Sequence, residues 1–181
     1  MLGDHNEPVN DSYRVLTVCT GNICRSPMAE IVLRDRLDAA GIGDRVVVAS
    51  AGVSDEEAGS PVDRRARRVL AEHGYPTGDG HRARQVTAAD VASHDLVLAM
   101  TAHHARALRR LARKDVDGRI RMYRSFDPQA PVVHDGESEH MLDVDDPWYG
   151  DLEDFEVCLS EIEAAADGVV EQVREQLEAQ R

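Results

Sequence analysis

Short apolar, β-branched runs alternate with helix-patterned segments along the whole of this chain. That alternation constrains its fold more than any other feature. YRVLTVC at Tyr13–Cys19, RVVVASA at Arg45–Ala51, DLVLAM at Asp95–Met100 and the run Arg119–Tyr123 each read as a buried strand. Between them lie helical patterns. The first opens at Pro27, with Ser26 as the expected N-cap, and ends at Gly41. Others follow over Pro61–His73, Thr87–Ser93 and Thr101–Arg113. A long loop, Ser125–Tyr149, leads to an acidic helix over Asp151–Gln180, with Gly168 as a candidate break. Strands that alternate with helices predict an α/β single domain: a four-stranded parallel sheet with helices on both faces and ligands at the carboxyl ends of the strands.

The length, 181 residues, suits one domain, read here as residues 13–181 behind a disordered lead-in at 1–12. The net charge of -13 argues against nucleic acid as a partner. The charge is uneven: 16 of the 34 acidic residues but 2 of the 21 basic ones lie from Asp135 onward. A solvated helix face explains that more simply than a binding surface. No apolar stretch is long enough to span a membrane, and the first residues carry no secretory signal. The three cysteines are too few for a disulfide framework, so reduced thiols in a cytoplasmic setting are expected.

The first strand ends at Cys19. Cys19, Thr20, Gly21, Asn22, Ile23, Cys24, Arg25 and Ser26 then form C-x5-R-S on a strand–loop–helix connection. A loop entering a helix N-terminus aims successive N–H groups at one centre, and the helix dipole adds positive potential there. A phosphate-sized anion fits. Arg25 can hold two of its oxygens with a planar fork. The same field favours the thiolate, which makes Cys19 a candidate nucleophile. Ser26 is placed to donate a hydrogen bond to it. Gly21 and Asn22 are the residue types that best accept the positive φ of a tight loop. The C-x5-R spacing alone is weak. Gly-Asn within it, Ser-Pro after it and the flanking strand and helix make the signal strong.

VCTGNICRSPMAE resembles the phosphate loop of the low-molecular-weight protein tyrosine phosphatases. The resemblance continues through SAG at Ser50–Gly52, HRARQV at His81–Val86, DLVLAM, SFDPQ at Ser125–Gln129 and DDPWYGDLEDFE at Asp145–Glu156. It implies hydrolysis of phosphotyrosine in proteins through a phosphocysteine intermediate, with no metal and no cofactor. By that resemblance Cys19 is the nucleophile. Arg25 and the backbone from Thr20 to Arg25 are the phosphate cradle. Asp146 is the general acid, then the base that activates water. Asn22, Ser50 and His81 are braces of the loop, and Trp148 and Tyr149 form an aromatic wall for the substrate ring. Tyrosine-phosphorylated proteins, a bacterial tyrosine kinase among them, are the implied partners, and inorganic phosphate the product.

The chain departs from the family pattern in two places. Glu56 stands where an aromatic often forms the opposite pocket wall. The loop before Asp146 is long and acidic, and Asp135, Glu137, Glu139, Asp143 and Asp145 are expected to crowd that carboxylate. Cys24 is either an inert loop thiol or a resolving partner for Cys19, the latter being frequent in the family. Cys158 reads as core packing. His103 and His104 read as surface residues, and His134 and His140 fix no metal geometry. The run Arg64–Arg68 reads as a solvated face, with a docking patch for an acidic segment as its rival. Arsenate reductase would need two further cysteines, and none lies between Gly59 and Val157. A protein-arginine phosphatase is expected to lack Ile23 and the Trp148–Tyr149 pair. A binding module without turnover would not need Cys19, Arg25 and Asp146 together.

Overall fold

The computed structural model describes residues 12–112, 118–134 and 137–180. The lead-in expected at 1–12 and the end of the fourth helix at Arg113 therefore lie, save for Ser12, outside the described residues. The elements run β1 (Tyr13–Cys19), α1 (Arg25–Ala39), β2 (Val46–Gly52), α2 (Arg64–Glu72), α3 (Ala88–Ser93), β3 (Leu96–Ala99), α4 (Ala102–Leu111), β4 (Ile120–Met122) and α5 (Leu152–Ala179). Single 3-10 turns at Tyr123–Phe126, Glu139–Leu142 and Pro147–Tyr149 break up the long loop.

The sheet is four-stranded and parallel, in the order β2-β1-β3-β4. The chain steps from β1 to one side, then returns past it to the other. The carboxyl end of β1 is thus the point where the winding reverses, and a crevice opens at such a point. Cys19 pairs with Gly52 there.

Alternation along β1 divides the core. Val15 and Cys19 belong to one cluster with Met28, Val32 and Leu33 of α1 and Phe155, Leu159 and Ile162 of α5. Leu16 and Val18 belong to the other, with Val91 of α3 and Ala105 and Leu108 of α4. Helices therefore cover both faces, which leaves the strands buried on both sides and almost wholly apolar.

Several element ends differ from the sequence expectation. Helix α1 begins at Arg25, so Ser26 is inside its first turn rather than capping it; Cys24 is the N-cap and makes no side-chain cap bond. Ser26 spends its hydroxyl on the site instead. Pro27 is tolerated because first-turn N–H groups have no partner within the helix. Helix α2 begins after Asp63, whose carboxylate accepts from the Arg65 N–H. Thr87 caps α3 through a reciprocal bond pair with Asp90, as its sequence suggests. Helix α5 runs without a break through Gly168. A Cβ there would run into the Phe126 carbonyl oxygen, so the glycine serves a close approach, not an interruption. Cys158 is buried in the core, as expected.

Candidate active site

The loop that follows β1 is shaped by Asn22 and Gly52. Asn22 has φ 59°, the one non-glycine with positive φ among the described residues. Gly52 lets the loop lie flat on the end of β2: an added Cβ would meet the Thr20 carbonyl oxygen and come within 3.0 Å of the Asn22 nitrogen. The backbone is stitched down at that point, with Val53 N–H donating to Cys19 O at 2.9 Å and Ser54 N–H to Thr20 O at 3.0 Å.

Behind the loop runs a chain of hydrogen bonds whose direction can be read from its ends. The Glu30 carboxylate only accepts, so the Ser50 hydroxyl donates to it, at 2.5 Å. Asn22 Nδ2 donates to Ser50 Oγ and to Ser26 Oγ, each at 2.9 Å. With its oxygen so engaged, Ser26 has its hydroxyl hydrogen free for the Cys19 sulfur, 3.0 Å away. Asn22 Oδ1 accepts from Arg84 N–H at 3.0 Å, which fixes the amide orientation. His81 Nε2 donates to the Asn22 carbonyl oxygen at 2.8 Å. The expected braces Asn22, Ser50 and His81 thus meet around one loop. Glu30, which anchors the chain and pairs with Arg34 at 2.6 Å, was not foreseen.

In front of the loop, Cys19, Thr20, Gly21, Ile23, Cys24, Arg25, Asp146, Trp148 and Tyr149 line one cavity of about 210 Å³, together with Ser54, Glu56 and Glu57. Asn22 and Ser26 lie behind it, fully buried. Cys19 is 2% exposed and Arg25 4%. The Arg25 guanidinium donates to the Val144 carbonyl oxygen at 3.0 Å and lies 3.2 Å from Asp146 Oδ2. Its Nε is buried and has no hydrogen-bond partner among the described residues. A buried cation on the wall of the cavity that Cys19 also lines suits an anion. Trp148 and Tyr149 meet edge to face, with centroids 5.0 Å apart, and are 47% and 84% exposed. Glu56 lines the cavity, so that wall carries a carboxylate rather than a ring.

Three expectations need correction. His104 is not a surface residue. It is 1% exposed, its Nε2 lies 2.8 Å from Thr20 Oγ1, and burial, then the charges of Arg25 and His103, push its pKa down to about 3. Only His103 of that pair is exposed. Nor is Arg64–Arg68 wholly a solvated face. Arg65 ion-pairs with Asp63 at 3.0 Å and donates to the carbonyl oxygens of Trp148 and Gly150. The acidic loop crowds Asp146 less than its composition suggests. Glu139 makes a two-pronged pair with Arg109 at 2.6 and 2.9 Å, and that bond holds its carboxyl low. Asp143 accepts from the Ala102 N–H at 2.7 Å, at the start of α4. Apart from these, burial pushes the Cys24 thiol strongly up, so it is protonated at neutral pH.

A family model described as low molecular weight phosphotyrosine protein phosphatase matches residues 14–179. The chain is 48% identical over 168 residues to a low molecular weight protein-tyrosine-phosphatase of Streptomyces coelicolor, covering 92% of this chain and 97% of that one. It is 46% identical over 169 residues to low molecular weight protein-tyrosine phosphatase A of Mycobacterium tuberculosis, covering 93% and 96%. Among solved structures, a protein tyrosine phosphatase of Entamoeba histolytica with Hepes in its active site superposes with a TM-score of 0.82 at 25% identity, covering 91% of this chain and 99% of that one. With the model matching nearly its full length, the chain belongs to the low molecular weight phosphotyrosine protein phosphatase family, an enzyme family of phosphoric monoester hydrolases.

Proposed function

We propose that the protein hydrolyses phosphotyrosine in proteins with Cys19 as nucleophile, Arg25 as phosphate ligand and Asp146 as general acid and base. The observation that carries this reading is the buried Arg25 guanidinium. It shares a cavity with Cys19 and Asp146 and keeps its Nε unpartnered among the described residues.

The phosphate enters above Cys19, held by the Arg25 fork and the N–H groups at the start of α1. The Cys19 thiolate attacks phosphorus, and the bond from phosphorus to the tyrosine oxygen breaks. Asp146 gives its proton to the departing oxygen. Water then attacks the phosphocysteine. Asp146 takes a proton from it, the sulfur leaves as thiolate steadied by Ser26, and inorganic phosphate is released. Positive charge comes from Arg25 and the backbone, so EDTA should not inhibit. Among the described residues no three His, Cys, Asp or Glu side chains cluster as metal ligands. Trp148 and Tyr149 offer flat apolar surface to an aromatic ring, which favours phosphotyrosine over a phosphorylated aliphatic chain. The need for a free Cys19 thiolate suits a reducing, cytoplasmic setting. Among the described residues no helix is long and apolar enough to cross a membrane.

The test varies the leaving group. Cys19→Ser should abolish turnover and keep phosphate binding. Asp146→Ala should slow phosphotyrosine hydrolysis about 10²- to 10⁴-fold and nitrophenyl phosphate hydrolysis far less, because nitrophenolate leaves without a proton. Equal losses on both substrates would remove Asp146 from the role of acid.

A further inference from the structure

Helix α4 begins beside the phosphate loop, and its first turn carries an imidazole the mechanism has not used. Thr101 caps the helix, accepting from the His104 backbone N–H at 3.3 Å. His104 is therefore the third residue of the helix. A carboxylate or amide is favoured there, where it can answer the positive end of the dipole; a basic side chain is not. The His104 ring turns inward instead and is buried between two hydroxyls. Nδ1 lies 3.0 Å from Thr101 Oγ1 and Nε2 lies 2.8 Å from Thr20 Oγ1.

A neutral imidazole has one donor and one acceptor, and a hydroxyl can be either. Both ring nitrogens are thus satisfied without a charge. Burial and the nearby Arg25 and His103 hold the ring neutral. Thr20 is the residue on which this contact acts. It is exposed on the cavity side, yet its hydroxyl also receives Arg25 Nη2 at 3.4 Å. One oxygen thereby joins α4, the start of the phosphate loop and the guanidinium. The other end of the guanidinium is tied to the same region, since Arg25 donates to Val144 O and Val144 N–H donates to Met100 O, just before the cap.

We propose that His104 is a positioning residue of the phosphate cradle: acting through the Thr20 hydroxyl, it holds the first residue of the loop and the Arg25 guanidinium in the arrangement that takes the anion. The proposal rests on the cavity being the phosphoester site. It differs from a packing role in one respect: the effect of His104 on the anion must pass through Thr20.

The experiment is a double-mutant cycle of His104→Leu, Thr20→Val and both together. It reads phosphate affinity by calorimetry, kcat and KM on nitrophenyl phosphate, and the melting temperature. Each single change should weaken phosphate binding and lower kcat/KM about tenfold, the size of one lost hydrogen bond. The double variant should be no worse than the weaker single, because both remove the same contact. His104→Gln, which keeps an amide within reach of Thr20, should recover part of the affinity. The proposal is overturned if His104→Leu lowers only the melting temperature, or if the two losses multiply in the double variant. Should His104→Leu fail to fold, Thr20→Val alone decides: phosphate affinity equal to the parent's overturns it. A parent that neither binds phosphate nor turns over an aryl phosphate would defeat the phosphatase mechanism itself, a result distinct from parent-like variants of an active enzyme.

Discussion

The guanidinium of Arg65 donates to the carbonyl oxygen of Trp148 at 3.1 Å. It also donates to Gly150 at 3.0 Å, pairs with Asp63 and lies 4.6 Å from the centre of the Phe155 ring. Helix α2 therefore holds the turn that carries the aromatic wall and, one residue before that turn, Asp146. Arg65→Met keeps the apolar stem and removes the donors. It should raise KM for aryl phosphates and lower kcat/KM by about 3- to 30-fold, with charged hydrogen bonds of this kind worth roughly 1–2 kcal/mol when partly exposed. Steady-state kinetics checks it, and an unchanged KM would mean the turn holds its shape without Arg65.

Two glycines should separate stability from activity. Gly52→Ala drives a methyl group into the Thr20 carbonyl, under the phosphate loop, while Gly168→Ala drives one into Phe126 O, in the turn that follows β4. Both should cost about 1–3 kcal/mol of stability. Only Gly52→Ala should also lower kcat/KM, by tenfold or more, because the displaced backbone is the proposed cradle. Melting curves and kinetics on the two variants decide the point. Equal kinetic losses would show that the phosphate loop senses strain from the whole core.

The buried imidazoles predict an acid weakness. His104 is held down to about 3, and burial also lowers His94. In the unfolded chain each takes up a proton below roughly pH 6.5. The folded state refuses it, so the stability these groups protect is complete above that pH and is lost as pH falls toward the folded value. Urea midpoints should drop between pH 6.5 and 4.5, above most of the carboxylate range. His104→Gln should flatten that slope. Burial raises Glu161, which acts with the opposite sign. A midpoint flat across the interval in the parent would show that the His104 ring accepts a proton while folded.

Peroxide should inactivate the enzyme reversibly. The Cys19 thiolate takes one oxygen from peroxide to give a sulfenic acid and hydroxide. We propose that the Cys24 thiol then attacks that sulfur, water leaves and a disulfide remains, which dithiothreitol reduces. Cys24 is buried beside Cys19 in the cavity wall, and its raised thiol pKa makes this second step slow. Recovery after dithiothreitol should be large in the parent and much smaller in Cys24→Ser. Equal recovery, or a mapped disulfide from Cys19 to Cys158, would leave Cys24 as a plain loop residue.

The parts that were legible in the chain are those whose physics is local. Apolar runs marked all four strands to within about two residues, because a strand buried on both faces has little else to be made of. Cys19 to Ser26 could be read as an anion site because the strand, the turn formers and the helix start that build it are contiguous. Helix ends were less clear: Ser26-Pro27 looks like a cap, but the hydroxyl that would have capped α1 is committed to Cys19. Asp146 lies far along the chain from Arg25, and no spacing rule brings them together; the resemblance to a family did that.

Packing decided the rest. Adjacent histidines on a helix look alike in sequence, and the docking of α4 against the phosphate loop is what buries His104 and leaves His103 in water. The same holds for Arg65 within its basic run and for Glu139 within its acidic one, where a distant carbonyl or guanidinium replaces solvent as the partner. Residue order sets which backbone shapes and which charges are available. The partner each charge finds depends on which faces meet once the sheet has closed, a relation between segments that no stretch of neighbouring residues encodes.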